Sequence, residues 1–211
     1  MAKATKKAKT PARAPARERL KGVVQQLIEK QKELAKLTED EEASLQLGRP
    51  CSPRQLARVE QALGKPIPPS YRAFLELYDG WDDFEGDAKI LGSDDVGAAW
   101  VKSRIAKKGA LFIEFTKKNP LASFGFPIFL GPTSSRLAVL DTRKVDGEGE
   151  MPVITYDYTK KEDEYASFTA FLEGELETVD DLIKDAKEGV DDDEDEGSDD
   201  DDEDEDEDED E

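Results

Sequence analysis

The sequence predicts an α+β domain with a mostly antiparallel sheet flanked by helices. Three observations predict it. Up to residue 80, apolar residues recur at helical spacing. Beyond it, short runs rich in β-branched and aromatic residues alternate with Gly, Pro and Ser clusters. Helical spacing then returns from residue 167, and helix, strands and helix in that order point to an α+β arrangement rather than an alternating one.

The elements follow in order. Leu20, Val23, Val24, Leu27 and Ile28 form an apolar helical stripe that Leu34 and Leu37 extend and Gln31 interrupts. This helix packs on the domain or pairs with another chain. At 52–63 the signals are stronger. Ser52 can cap, Pro53 suits the first helical position, Gln55 completes a capping box, and Gly64 stops the helix. Its apolar face is Leu56, Val59 and Leu63. A Pro-rich connector leads to a helix at 69–78, with Tyr71, Phe74, Leu75 and Tyr78 on one side. Pro68 and Pro69 fix φ at its entry. Gly80 ends it in a left-handed conformation that a β-carbon would disfavour.

A short strand is expected at Ile90 and Leu91, then a helix at 94–107 capped by Ser93, with Val96, Ala99 and Trp100 facing in. Strands are expected at 111–115, 127–130, 136–141 and 152–158, with turns at 131–135 and 146–149. A helix opens at 167–172 and a last one follows at 178–188.

Charge is distributed unevenly along the 211 residues. Residues 1–36 hold eleven Lys/Arg against three Asp/Glu. Residues 191–211 are all acidic except Gly197 and Ser198, which makes 19 acids. With a total of -21, the middle carries -10 by difference. The expected organisation is a disordered basic arm (1–16), a helical extension (17–49), the domain (50–188) and a disordered polyacidic tail (189–211).

Cys51 is the only cysteine, so no disulfide can form within the chain. The start of the sequence has lysines and prolines where a secretory signal needs an apolar run. A cytoplasmic protein is expected. Histidine, the commonest general base and metal ligand, is absent. No phosphate-binding, dinucleotide-binding or serine-hydrolase motif occurs. No enzyme activity, no catalytic residue, no cofactor and no metal are therefore expected. Asp94-Asp95 and Glu162-Asp163-Glu164 read as solvated acids, and Cys51, without a histidine to activate it, as structural. Residues 192–203 mimic an EF-hand loop only because so many acids stand together. The basic arm lacks interleaved aromatics, so nucleic acid is not an expected partner.

The candidate partner-binding segment is Asp79, Trp81, Asp82, Asp83, Phe84, Glu85 and Asp87. It sets two large aromatics among five acids, and an aromatic anchor with an acidic rim suits a basic protein. The alternative is that Trp81 and Phe84 tuck under the sheet while the acids are solvated.

A family resemblance runs through roughly residues 50–176. Leu63-Gly64, Ile67-Pro68-Pro69-Ser70-Tyr71, Phe74-Leu75 and Asp79-Gly80-Trp81 resemble the opening motif of the SMI1/KNR4 family of the SUKH superfamily. Phe126-Pro127-Ile128, Leu137 to Asp141 and Pro152 to Tyr156 resemble its core strands, and Ser167-Phe168 to Phe171-Leu172 its closing helix. Gly131 to Ser135 departs from the glycine-rich hairpin usual there. The resemblance makes Pro68, Tyr71, Phe74, Leu75 and Gly80 structural-motif residues. It implies a non-catalytic protein-binding domain: bacterial members are often immunity proteins that neutralise toxins, many of them nucleases, and fungal members are regulatory adaptors. The expected partner is thus a protein, a basic toxin domain. The alternative is a regulatory adaptor or chaperone-like protein for basic clients, acting through the acidic tail.

Overall fold

The computed structural model describes residues 16–38 and 46–192. Residues 1–15 of the basic arm and the acidic segment past residue 192, with all but the first residue of the EF-hand mimic, lie outside them. The elements are helix α1 (Ala16–Leu37), strand β1 (Gln46–Leu47), helices α2 (Pro53–Leu63) and α3 (Pro69–Leu77), strands β2 (Trp81–Glu85) and β3 (Ala88–Ile90), helices α4 (Ala99–Thr116) and α5 (Pro120–Ser123), strands β4 (Gly125–Leu130), β5 (Arg136–Asp141), β6 (Val153–Asp157) and β7 (Lys160–Tyr165), and helix α6 (Phe168–Asp192).

The seven strands form one antiparallel sheet whose spatial order is their sequence order. Each strand pairs with the next in the chain, through hairpins or around helices. Side chains alternate across the sheet, and both faces are covered. In β5, Ala138 and Leu140 join Trp81, Phe129 and Val153 in a core with α1, α2, α3 and α6. Leu137 and Val139 point the other way, to Ile154, Tyr156 and the α4 residues Val101 and Phe112. Burial on two faces explains why Leu137 to Leu140 is an unbroken apolar run. Pro127 fits within β4 because the register shifts there, between Pro127 and Phe129.

Several sequence signals act as read. Ser52 and Gln55 form the capping box of α2, and Gly64 closes it in a left-handed conformation. Gly80 has φ +93°, and a β-carbon there would come within 2.9 Å of the Gly92 nitrogen. Tyr71, Phe74 and Leu75 are fully buried, and Phe168 of α6 packs 5.1 Å from both aromatic rings. Pro68 is buried at the entry to α3. On α1, Leu20, Val24 and Leu27 are fully buried in the main core. Gln31 interrupts the stripe for a reason: its side-chain NH2 donates to the Phe84 carbonyl at 2.8 Å, tying α1 to β2.

Other expectations are overturned. The helix expected at 94–107 begins only at Ala99. Ser93 does not cap it, because its N–H and hydroxyl both go to Asp79, and Gly97 at φ +81° prevents an earlier start. Ala99 is exposed rather than core-facing. The run Leu111 to Phe115, expected as a strand, is the second half of α4. Phe112 is buried against Tyr156, ring centroids 5.1 Å apart, whereas Ile113 and Phe115 are 56% and 65% exposed. The two helices expected after residue 167 are one, α6. β7 was not expected; its sequence Lys-Lys-Glu-Asp-Glu-Tyr shows no apolar alternation because it is an exposed edge strand.

Candidate functional site

Residues 81–90 form a hairpin of β2 and β3. Its register shifts between Trp81 and Glu85, and Asp83 takes φ +51°. In a regular strand, residues three apart face opposite sides. The irregularity instead turns Trp81 and Phe84 to the same side, inward. Trp81 is fully buried and Phe84 is 6% exposed, stacked edge-to-face at 5.0 Å. Neither can serve as a surface anchor for a partner. That part of the expected binding segment is corrected: both rings belong to the core.

Four of the five acids divide by role. Asp79 accepts hydrogen bonds from the Ser93 N–H, the Ser93 hydroxyl and the Gln55 side-chain NH2. It is a brace between the end of α3, the start of α2 and the segment after β3. Asp82 pairs with Lys89 at 2.5 Å, which also reaches Asp95 at 3.1 Å. Asp87 accepts from the Thr133 N–H and hydroxyl and the Ser134 N–H, so it organises the turn between β4 and β5. Burial pushes the Asp87 carboxyl up, but these hydrogen bonds outweigh it and hold the group below its usual range. Glu85 pairs with Arg136, and Arg136 pairs at 2.8 Å with Glu175 of α6, which is buried. Burial raises the Glu85 carboxyl above its usual range, against the pull of Arg136.

The hairpin tip still presents acid to the surface: Asp82, Asp83, Glu85 and Asp87 are all exposed. Two open clefts flank it. One, about 620 Å³, runs between the tip, α1 and α6, with Leu34, Val179 and Leu182 as its apolar wall. The other, about 600 Å³, is bounded by Glu85, Asp87, Arg136, Asp157 and Glu162. The arrangement is an acidic ridge with an apolar strip on one side. Leu182, 48% exposed, supplies apolar surface that Trp81 and Phe84 do not. Leu34 was visible in the α1 stripe, but nothing in sequence spacing links α1 and α6 to the hairpin.

The remaining candidates resolve into structural roles. Asp94 is solvated as expected and pairs with Arg58, whereas Asp95 is buried, not solvated, because it accepts from the Gly92 N–H and meets Lys89. Glu164 binds Lys144 and Lys161, whose hydrogen bonds hold its carboxyl below the usual range. Burial, reinforced by Asp79, pushes the Cys51 thiol up to about 12, the opposite of an activated nucleophile. Outside these candidates, Glu60 of α2 pairs with Arg72 of α3.

Among the described residues, no helix is long and apolar enough to cross a membrane. A search of curated proteins finds no match. The model of the SMI1/KNR4 family (SUKH-1) matches residues 50–174, from the turn before α2 to the second turn of α6. The match takes in the whole sheet from β2 onward, the buried α3 aromatics and the left-handed Gly80, and it covers more than half of the sequence. The chain belongs to the SMI1/KNR4 family (SUKH-1).

Proposed function

We propose that this chain is an immunity protein of the bacterial type, which neutralises a cognate toxin by stoichiometric binding in the cytoplasm rather than by catalysis. The observation that carries the reading is the acidic ridge of Asp82, Asp83, Glu85 and Asp87, with the Leu34, Val179 and Leu182 strip beside it, on a SMI1/KNR4 domain. A basic toxin face, such as one that grips nucleic acid, is steered by the acids. The apolar strip slows dissociation once contact is made.

Co-production with a toxin encoded beside the gene tests the reading. Protection of the cells and a one-to-one complex are expected. Absence of both overturns it. The paired change Asp83→Lys with Glu162→Lys should slow association about tenfold at low salt, while Leu182→Asp should speed dissociation. The adaptor reading is separated by removing residues 191–211: if partner binding then vanishes, the acidic segment and not the ridge is the binding element.

A further inference from the structure

The helix α4 stands apart electrostatically. Between Ala99 and Lys118 there are six Lys/Arg and one Glu, inside a middle region whose net charge is -10. Two of the six hold the fold. Arg104 donates to the Gly131 and Ser134 carbonyls at 3.0 and 2.7 Å, and Lys108 to the Ser135 carbonyl at 2.6 Å. The other four, Lys102, Lys107, Lys117 and Lys118, are exposed, and among the described residues none of them makes an ion pair. This is notable in a chain with 51 acids against 30 bases. Ile113 and Phe115 of the same helix are also outside the core, 56% and 65% exposed. α4 lies on the face of the sheet opposite α1 and α6, and its outer side has no covering element among the described residues.

We propose that this outer face of α4 docks the part of the chain's acidic segment that follows α6, residues 193–211. Charge complementarity is one argument: four lysines without ion pairs meet the 17 acids that follow α6. Reach is the second. The pairs Arg19–Glu173, Lys30–Asp180 and Glu33–Lys187 show that α6 runs parallel to α1. Val179 and Leu182 lie at the β2–β3 tip, which Asp87 joins to the β4–β5 turn, and Arg104 and Lys108 bind that same turn. The second half of α6 and the middle of α4 therefore approach the same end of the sheet from opposite faces. Nineteen further residues span up to roughly 60 Å, against a domain diameter on the order of 40 Å. Nearby surfaces are less suitable. The hairpin ridge is acidic, Arg19 and Lys30 of α1 are already paired with Glu173 and Asp180 of α6, and the exposed Lys32 and Lys36 at the end of α1 set two lysines against the four of α4. The competing basic arm is attached at the opposite end of α1. Because the connection is covalent, the local concentration is on the order of millimolar, enough for weak contacts. The docked segment hides the cationic face of α4 from other polyanions and keeps the acids away from the ridge.

The test uses the full chain carrying Ser198→Cys with a nitroxide label and Cys51→Ser, 15N-labelled. At about 50 mM salt, the amide signals of residues 102–118 should lose about half their intensity or more, and recover at about 500 mM, where the Debye length falls below about 5 Å. The loss should also disappear in the variant with Lys102, Lys107, Lys117 and Lys118 changed to Gln. Broadening confined to residues 1–15, confined to Lys32 and Lys36 of α1, or absent throughout overturns the proposal. The salt titration of unlabelled native chain, following the same α4 amides, gives a second reading that does not depend on the lysine variant folding. Shifts there that stay constant with salt also overturn it.

Discussion

Asp79 and Ser93 hold each other. The Asp79 carboxylate accepts the Ser93 backbone N–H at 2.5 Å and its hydroxyl at 2.6 Å, and Gln55 donates to both residues, at 2.9 and 3.0 Å. Ser93 is fully buried, so its N–H has little access to a replacement partner from solvent. Asp79→Ala should therefore destabilise the domain by roughly 2–4 kcal/mol, as expected for loss of charge-assisted bonds to a buried donor. Urea unfolding measures this. A change below about 0.5 kcal/mol, within the range of an ordinary surface substitution, would contradict the brace.

The family match begins at Pro50, yet α1 fills part of the main core. Leu27→Ala should cost about 2–5 kcal/mol through a cavity in contact with α6. A chain starting at Pro50 should lose cooperative unfolding, because the partners of Leu20, Val24 and Leu27 become exposed. Circular dichroism across a urea series checks both. A cooperative, fully folded 50–192 fragment would show that α1 is dispensable.

Arg136 connects the hairpin, the sheet and α6. It pairs with Glu85 and Glu175, and its guanidinium lies 5.6 Å from the centre of the Phe129 ring. Arg136→Leu leaves the buried Glu175 carboxylate without its cation and should cost about 3–5 kcal/mol. The double variant Arg136→Leu, Glu175→Leu should recover part of that loss, because no buried charge remains. A double-mutant cycle reads the difference, and strict additivity would refute the coupling.

Lys108 is 3% exposed, and burial, with Arg104 beside it, lowers its ammonium group to about 8 from an ordinary 10.5. The folded chain thus releases this proton before the unfolded chain does. Between those values the unfolded state binds more protons, so the contribution of Lys108 to stability rises with pH. Below about pH 8 both states hold the proton and the full cost of the buried charge is present. Relative to Lys108→Met, the native chain should gain on the order of 2 kcal/mol from pH 7.5 to 10.5. Unfolding free energies of the two proteins across that range provide the check, and a constant difference would disprove the shift.

Much of the scaffold was legible because it is specified by neighbours in the chain. The capping box of Ser52 and Gln55, the left-handed Gly64 and Gly80, and the Tyr71–Phe74–Leu75 face each need only residues within one or two turns. The strands β4, β5 and β6 announce themselves because both of their faces are buried and so both are apolar. The edge strand β7 escaped notice for the converse reason: exposed on its outer side, it has no apolar pattern to read.

The candidate site was legible only in composition. The acids at 79–87 are where the sequence places them, but their partners come from far along the chain: Ser93 for Asp79, Thr133 for Asp87, Arg136 for Glu85. Local spacing determined most helices, the core strands and the contrast between a basic beginning and a polyacidic end. The tertiary structure alone decided that Leu111 to Phe115 is helical, that α6 is continuous, that Trp81 and Phe84 turn inward, and that α1 and α6 border the acidic hairpin. Helix and strand propensities differ by only a few tenths of a kcal/mol per residue, whereas burying one large side chain contributes about 1.5–3 kcal/mol, so packing overrides local preference wherever the two disagree.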